Sequence, residues 1–182
     1  MFSHQIDENL KLALPQIEQA EELTALVRAN LEHLKRWMPW ATDSYSVESG
    51  REWIQRTLNE FAEQGMFNAV ILYNDRPAGT IGFHNFDTAN RSAHIGYWIS
   101  KEYEGKGIIT RCCHVLIDYL FDVMKLNRIQ INCSVENVRS RAVPERLGFR
   151  LEGIQRQAEF INGKFGDWAI YSMLKEDWKA NN

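Results

Sequence analysis

Ile99-Ser100-Lys101-Glu102-Tyr103-Glu104-Gly105-Lys106-Gly107-Ile108-Ile109-Thr110 is the stretch on which the reading of this chain turns. Before it, Ala93 to Ile99 is β-rich. After it, Ile109, Cys112, Leu116, Tyr119 and Val123 recur at helical spacing, which predicts a helix over Gly107–Met124. Two glycines separated by one residue lie at the junction. Glycine reaches positive φ without strain and lets backbone N–H groups approach a ligand. A helix start adds unpaired donors and the positive end of the helix dipole. Strand, glycine loop and helix N-terminus together suit an anion such as a pyrophosphate. The loop lacks the Gly-Lys-Ser/Thr of a Walker loop and the third glycine of the dinucleotide fingerprint. Taken alone, it is also compatible with a plain turn.

Outward from this loop, periodicity marks the other elements. Lys11 to Pro15 reads as a short strand stopped by the proline. Leu23, Leu26, Val27, Leu31 and Leu34 predict a helix from Ile17 to Met38, ended by Pro39. Trp53, Ile54, Leu58 and Phe61 predict a second helix from Val47 to Gln64, with Gly65 as its stop. Phe67–Tyr73 and Ala78–Phe86 read as strands joined by a turn at Asn74-Asp75-Arg76-Pro77. Arg128–Val135 alternates Ile129, Ile131, Cys133 and Val135, and a short helix runs over Ser140–Leu147. A final hairpin pairs Phe149–Ile161 with Phe165–Leu174 around Asn162-Gly163. The order β-α-α-β-β-β-α-β-α-β-β predicts an α/β (α+β) domain. Its mixed, mostly antiparallel central sheet would have about seven strands flanked by about four helices. With no repeat or linker in its 182 residues, the chain reads as one domain, 1–182.

A second segment follows the Arg128–Val135 strand and opens the short helix: Asn137-Val138-Arg139-Ser140-Arg141-Ala142-Val143-Pro144-Glu145-Arg146-Leu147-Gly148-Phe149. By itself it reads as a helix capped by Asn137 or Ser140 and closed by Gly148. Pro144 cannot donate to the carbonyl of Ser140, so the helix should bend or start late. Taken together, the pattern Glu-x-x-Gly-Lys-Gly, helix, strand, Asn-x-x-Ser-x-x-x-x-Glu-Arg-x-Gly-Phe resembles the GNAT N-acetyltransferases. The branch it is most similar to is the RimJ/RimL-like one, which acetylates N-terminal amines of ribosomal proteins. Ile95-Gly96-Tyr97-Trp98-Ile99, Arg36-Trp37-Met38-Pro39-Trp40 and Arg156-Gln157-Ala158-Glu159-Phe160 support the resemblance.

The resemblance implies the GNAT fold, acetyl-CoA as co-substrate, and direct attack by the acceptor without a covalent enzyme intermediate. Carried over by position, Gly105, Lys106, Gly107, Ile108, Ile109 and Thr110 would hold the CoA pyrophosphate, mainly through backbone N–H groups. Trp98 and Ile99 would bond the pantetheine arm like an added strand, and Asn137 would bind the same arm. Glu102 stands where many relatives carry Gln or Arg, which places a negative charge near the phosphates. Acetyl transfer requires an ammonium to lose a proton and a departing thiolate to gain one. Glu159 is the candidate base, directly or through water, and Ser140 the candidate acid. Their plainer readings are a solvated strand carboxylate and a helix cap. Trp37 and Trp40 are candidates for the acceptor side, or equally for the core. A homodimer is expected from the resemblance only.

Composition narrows the alternatives. A net charge of −3 is not that of a nucleic-acid binder. No apolar stretch approaches a membrane span, and Met1 to His4 do not open like a secretory signal. Three cysteines, two of them adjacent, make a poor disulfide framework, so a reducing cytoplasm is expected. His4, His33, His84, His94 and His114 have no zinc-ligand spacing, so no metal is expected. Cys113-His114 would point about 100° apart on a helix, which suits packing better than nucleophilic catalysis. The other readings are acetylation of a small amine, such as a polyamine or aminoglycoside, and a non-catalytic CoA-binding module.

Overall fold

The structure, a computed structural model, describes residues 3–64 and 66–181. Gly65, expected to stop the second helix, lies outside the described residues. Among the described residues there are eight strands and six α-helices. They are β1 (Ser3–Asp7), β2 (Leu10–Ala13), α1 (Ala20–Ala29), α2 (Leu31–Leu34), α3 (Val47–Gln64), β3 (Asn68–Tyr73), β4 (Arg76–Asp87), β5 (Ser92–Ile99), α4 (Ile108–Asp118), β6 (Arg128–Ser134), α5 (Val138–Arg146), β7 (Arg150–Ile161), β8 (Lys164–Leu174) and α6 (Lys175–Asn181). The sheet order is β1-β2-β3-β4-β5-β6-β8-β7. The β5–β6 pair is parallel, and β1–β2, β2–β3, β3–β4, β6–β8 and β7–β8 are antiparallel.

The chain forms two compact units, one of residues 3–82 and 97–112 and the other of 83–96 and 113–181. In the first, Ala13, Ala20, Leu23, Ile54, Val70 and Leu72 form a buried cluster, with Val47, Trp53 and Leu58 against it. Each large apolar side chain so buried is worth about 1.5–3 kcal/mol relative to exposure. In the second, Ile129, Ile131 and Cys133 on β6 and Ala169, Tyr171 and Met173 on β8 are buried, as strand alternation requires. Leu116, Ile117, Leu120 and Phe121, on and just after α4, are buried as well.

Several boundaries differ from the sequence expectation. β1 is an added edge strand, paired with β2; Ser3-His4-Gln5-Ile6-Asp7 carries one aliphatic residue and so little periodic signal. The helix expected over 17–38 opens as a 3-10 turn at Ile17–Gln19 and breaks at Asn30 (φ −112°, ψ 11°). There the Asn30 side chain donates to the Leu26 carbonyl (2.9 Å), satisfying the end of α1 in place of a further rung. The turn after β3 uses only Asn74 and Asp75, both at positive φ. Pro77 lies within β4 instead, beside a register shift that spares the ladder its missing donor. The long helix ends at Asp118 and continues as a π turn over Tyr119–Val123. α6 is additional; Trp178, its buried apolar anchor, donates to Asp118 (2.7 Å). The Asn162-Gly163 hairpin turn forms as expected, with Ile161 opposite Lys164.

Candidate active site

In the first unit the junction between β5 and α4 has the expected design. Ser100, 3% exposed, donates its N–H to the Ala78 carbonyl (2.7 Å) and ends the strand. The chain then makes a 3-10 turn, Lys101–Tyr103. The Lys101 N–H donates to the Asn30 side-chain oxygen at 2.9 Å, so the break between α1 and α2 also anchors the loop. Glu104 is extended, and Gly105 and Gly107 take φ of +75° and +68°. No atom lies within 4 Å of where a Cβ on either glycine would sit, so these glycines serve backbone conformation and access rather than packing. The first rung of α4 is Arg111 N–H to Gly107 O (3.1 Å). The N–H groups of Ile108 and Ile109 precede that rung, and no helix carbonyl lies four residues before them. The Ile108 and Ile109 side chains are buried, which pins the helix start. These features fit a pyrophosphate bound by backbone donors at a helix N-terminus.

The charges around the loop are organised. Lys106 rests its ammonium over the rings of Tyr103 (5.1 Å) and Tyr73 (5.6 Å), which themselves meet edge to face. Glu104 pairs with His33 at 3.1 Å, and Glu102 is exposed. Arg111 bridges Asp7 on β1 and the Lys106 carbonyl, so the strand that sequence periodicity missed buttresses the loop. The bond from Asn9, together with the Arg111 guanidinium, holds the Asp7 carboxyl below its usual range. Trp98 packs against the Val27, Leu34 and Ala41 cluster. Trp40, 41% exposed, lies against Trp98 at 6.1 Å and belongs to the surface rather than the core. Trp37 is half-buried and carries the Arg36 guanidinium at 5.4 Å. Burial pushes the Cys112 thiol up to about 12, which unsuits it as a nucleophile.

In the second unit, Asn137 caps α5: its side-chain oxygen accepts the Ser140 N–H at 3.1 Å. The Ser140 hydroxyl lies 3.3 Å from the Cys133 sulfur. α5 starts at Val138 and includes Pro144 without ending there. Glu159 lies in β7 opposite Gly166 of β8. Its carboxylate accepts the Trp168 indole N–H at 2.9 Å. A Cβ on Gly166 would come within 2.6 Å of the Glu159 Oε1, so glycine is what leaves room for this carboxylate. Just before Glu159, Arg156, Gln157 and Ala158 bulge from the ladder, with Gln157 at φ 51° and its N–H on the Asp167 carboxylate (2.8 Å). Bulges of this kind re-aim side chains next to active sites. His114 is engaged by Asp118 (3.2 Å) and by the Trp178 ring.

The structure thus groups the loop residues with Trp98, Ile99 and Trp40 in one unit, and Asn137, Ser140 and Glu159 in the other. Sequence reasoning missed Asn30, Trp168, Gly166, Arg111 and Tyr171. Of these only Gly166 carried a visible signal, as a glycine inside a strand pattern. A family model of the acetyltransferase (GNAT) domain matches residues 9–150. The chain belongs to the GNAT acetyltransferase family. As a GNAT N-acetyltransferase it is similar to YdaF of Bacillus subtilis (strain 168), 41% identical over 99% of both chains. It is 31% identical to the ribosomal-protein-serine acetyltransferase of Escherichia coli (strain K12), over 93% of this chain and 94% of that one. Among solved structures, RimL, a ribosomal L7/L12 alpha-N-protein acetyltransferase in complex with coenzyme A, matches with a TM-score of 0.90 and 26% identity. That match covers 95% of this chain and 98% of RimL. GNAT enzymes draw their acetyl group from acetyl-CoA.

Proposed function

We propose that this GNAT enzyme moves the acetyl group of acetyl-CoA directly to the N-terminal α-amine of a ribosomal protein, acting in the cytoplasm as a single acetyltransferase domain. The observation that carries the chemistry is Glu159, a half-buried carboxylate fixed by the Trp168 indole on a bulged strand. The protein target rests on the ribosomal-protein acetyltransferases among the relatives. In this reading Gly105 to Thr110 hold the pyrophosphate, and Trp98, Ile99 and Asn137 hold the pantetheine arm. Trp40 and Trp37 meet the acceptor. Glu159 takes a proton from the acceptor ammonium, directly or through one water. The amine nitrogen then forms its bond to the thioester carbon as the carbon–sulfur bond breaks, and the nitrogen gives up its second proton to solvent, which leaves the neutral amide. Ser140 gives its hydroxyl proton to the departing sulfur and regains one from solvent. Both substrates are bound together throughout, and a homodimer completes the proposal.

The test is acetyl transfer to a panel of ribosomal-protein N-terminal peptides and small amines, read by mass spectrometry. Acetylation confined to polyamines or aminoglycosides would move the acceptor to the small-amine class. Acetyl-CoA binding without transfer to any acceptor would leave a binding module. Glu159→Gln keeps shape and removes the base, so kcat should fall about 10²- to 10⁴-fold at neutral pH. It should recover partly at high pH, where more acceptor is already deprotonated, while acetyl-CoA affinity survives. An unchanged kcat and pH profile would remove Glu159 from the mechanism.

A further inference from the structure

Tyr171 is 1% exposed, yet its hydroxyl is fully engaged. It accepts from Arg141 Nε at 3.0 Å and donates to Glu145 Oε1 at 2.6 Å. Arg141 and Glu145 are four residues apart on one side of α5, and Arg141 also donates to the Val135 carbonyl (3.1 Å) at the end of β6. Val135 in turn donates its N–H to the Asp167 carbonyl (3.0 Å). A single buried phenol on β8 therefore clamps the helix at two points. Burial first, and then the Glu145 carboxylate, raise the pKa of this phenol, so it stays a donor across the working pH range.

The clamp matters because α5 is internally weak. Residue 144 is proline, so the carbonyl of Ser140 has no N–H four residues on. The missing rung, from Ser140 to Pro144, lies one residue before the Arg141–Glu145 pair that Tyr171 holds. Ser140 is the residue just before Arg141, and its hydroxyl sits against Cys133 on β6. Rotation of α5 about its axis would swing that hydroxyl away and would have to break the bonds of Arg141 and Glu145 to Tyr171 and of Arg141 to Val135.

We propose that Tyr171, through Arg141 and Glu145, is a positioning residue that sets where the Ser140 hydroxyl points during acetyl transfer. This rests on the reading of Ser140 as the proton donor. Four proteins test it: wild type, Tyr171→Phe, Ser140→Ala and the double variant, assayed with acetyl-CoA and a peptide bearing a free N-terminal serine. Tyr171→Phe should lower kcat about tenfold while KM for acetyl-CoA stays within about twofold. Added to Ser140→Ala it should cost nothing more, because it acts through the hydroxyl already removed. A full additional loss in the double variant, or wild-type kcat in Tyr171→Phe, would overturn the proposal. Wild-type kcat in Ser140→Ala would instead overturn the reading of Ser140, and the proposal with it. Independent of activity, amide exchange across Arg141–Glu145 should quicken at least about tenfold in Tyr171→Phe while β6 keeps its protection; unchanged exchange also overturns it. Should the buried Tyr171→Phe protein fold poorly, Glu145→Ala, at an exposed position, removes the phenol's acceptor and should give the same kcat loss and the same non-additivity.

Discussion

Glu159 shows how much a single position depends on its neighbours. The carboxylate is held by the Trp168 indole, and the lack of a side chain at Gly166 leaves the space it occupies. Any side chain at 166 meets it: a Cβ would lie 2.9 Å from the Glu159 Cγ, too close to be relieved by turning the carboxylate alone. Gly166→Ala should therefore displace the carboxylate from the indole and lower kcat about 10- to 100-fold, as small misplacements of reacting groups do. The melting temperature should move little, because β8 tolerates alanine and φ at Gly166 is not in the left-handed region. The check is kcat beside thermal melting. A kcat equal to wild type would mean that the carboxylate's place is not set by Gly166. Asn30 is a second case. At 8% exposure its amide serves both the end of α1 and the loop after β5, so Asn30→Ala should cost about 1–3 kcal/mol in chemical denaturation.

At the scale of elements, the loop into α4 acts as a unit. Gly107 at φ +68° ends the loop, and the helix begins at the next residue. Gly107→Val would force a β-branched residue into that conformation at a cost of roughly 1–3 kcal/mol, with no atom within 4 Å of where its Cβ would sit. The open space that valine would occupy is where a bound phosphate would approach. Acetyl-CoA affinity by calorimetry should fall at least about tenfold while the far-UV spectrum stays native. Unchanged affinity would make the glycines a plain turn. Much of this element was legible before the structure, since strand, Gly-x-Gly and helix follow one another without a gap. Its supports were not legible. Asp7 and Asn30 are 104 and 71 residues from their partners Arg111 and Lys101, and no local pattern couples residues so far apart.

Across whole strands, Arg128 on β6, Glu152 on β7 and Ser172 on β8 are tied by charge-assisted hydrogen bonds of 2.6–2.7 Å. The Arg128 guanidinium first, then the Ser172 hydroxyl, lower the Glu152 carboxyl from 4.5 to about 2. A depressed folded-state pKa means the link contributes stability above the unfolded value near 4.5 and loses it as pH falls toward about 2. The urea midpoint of the wild type should thus drop more between about pH 5 and about pH 3 than that of Glu152→Gln. Equal drops would show that Glu152 does not report on acid stability. Glu152 is exposed, so salt should weaken the difference.

Elements with a repeating pattern or a specific turn were readable from the chain: α3 through its apolar stripe, β6 through its alternation, the last hairpin through Asn162-Gly163. The two site motifs were readable for the same reason, since each is a contiguous run with fixed spacing. Contacts across the fold determined the remainder. β1 exists because β2 offers it a partner, α6 because Trp178 finds Asp118, and the break at Asn30 because its amide has two distant bonds to make. Glu159, the proposed base, was a candidate from its motif. What orients its carboxylate, the Trp168 indole and the bare Cα of Gly166, depends on the register of β7 against β8, and a bulge of three residues sets that register. Periodicity along one strand carries no information about a bulge in its partner ladder, so this part of the site became visible only once the strands were paired.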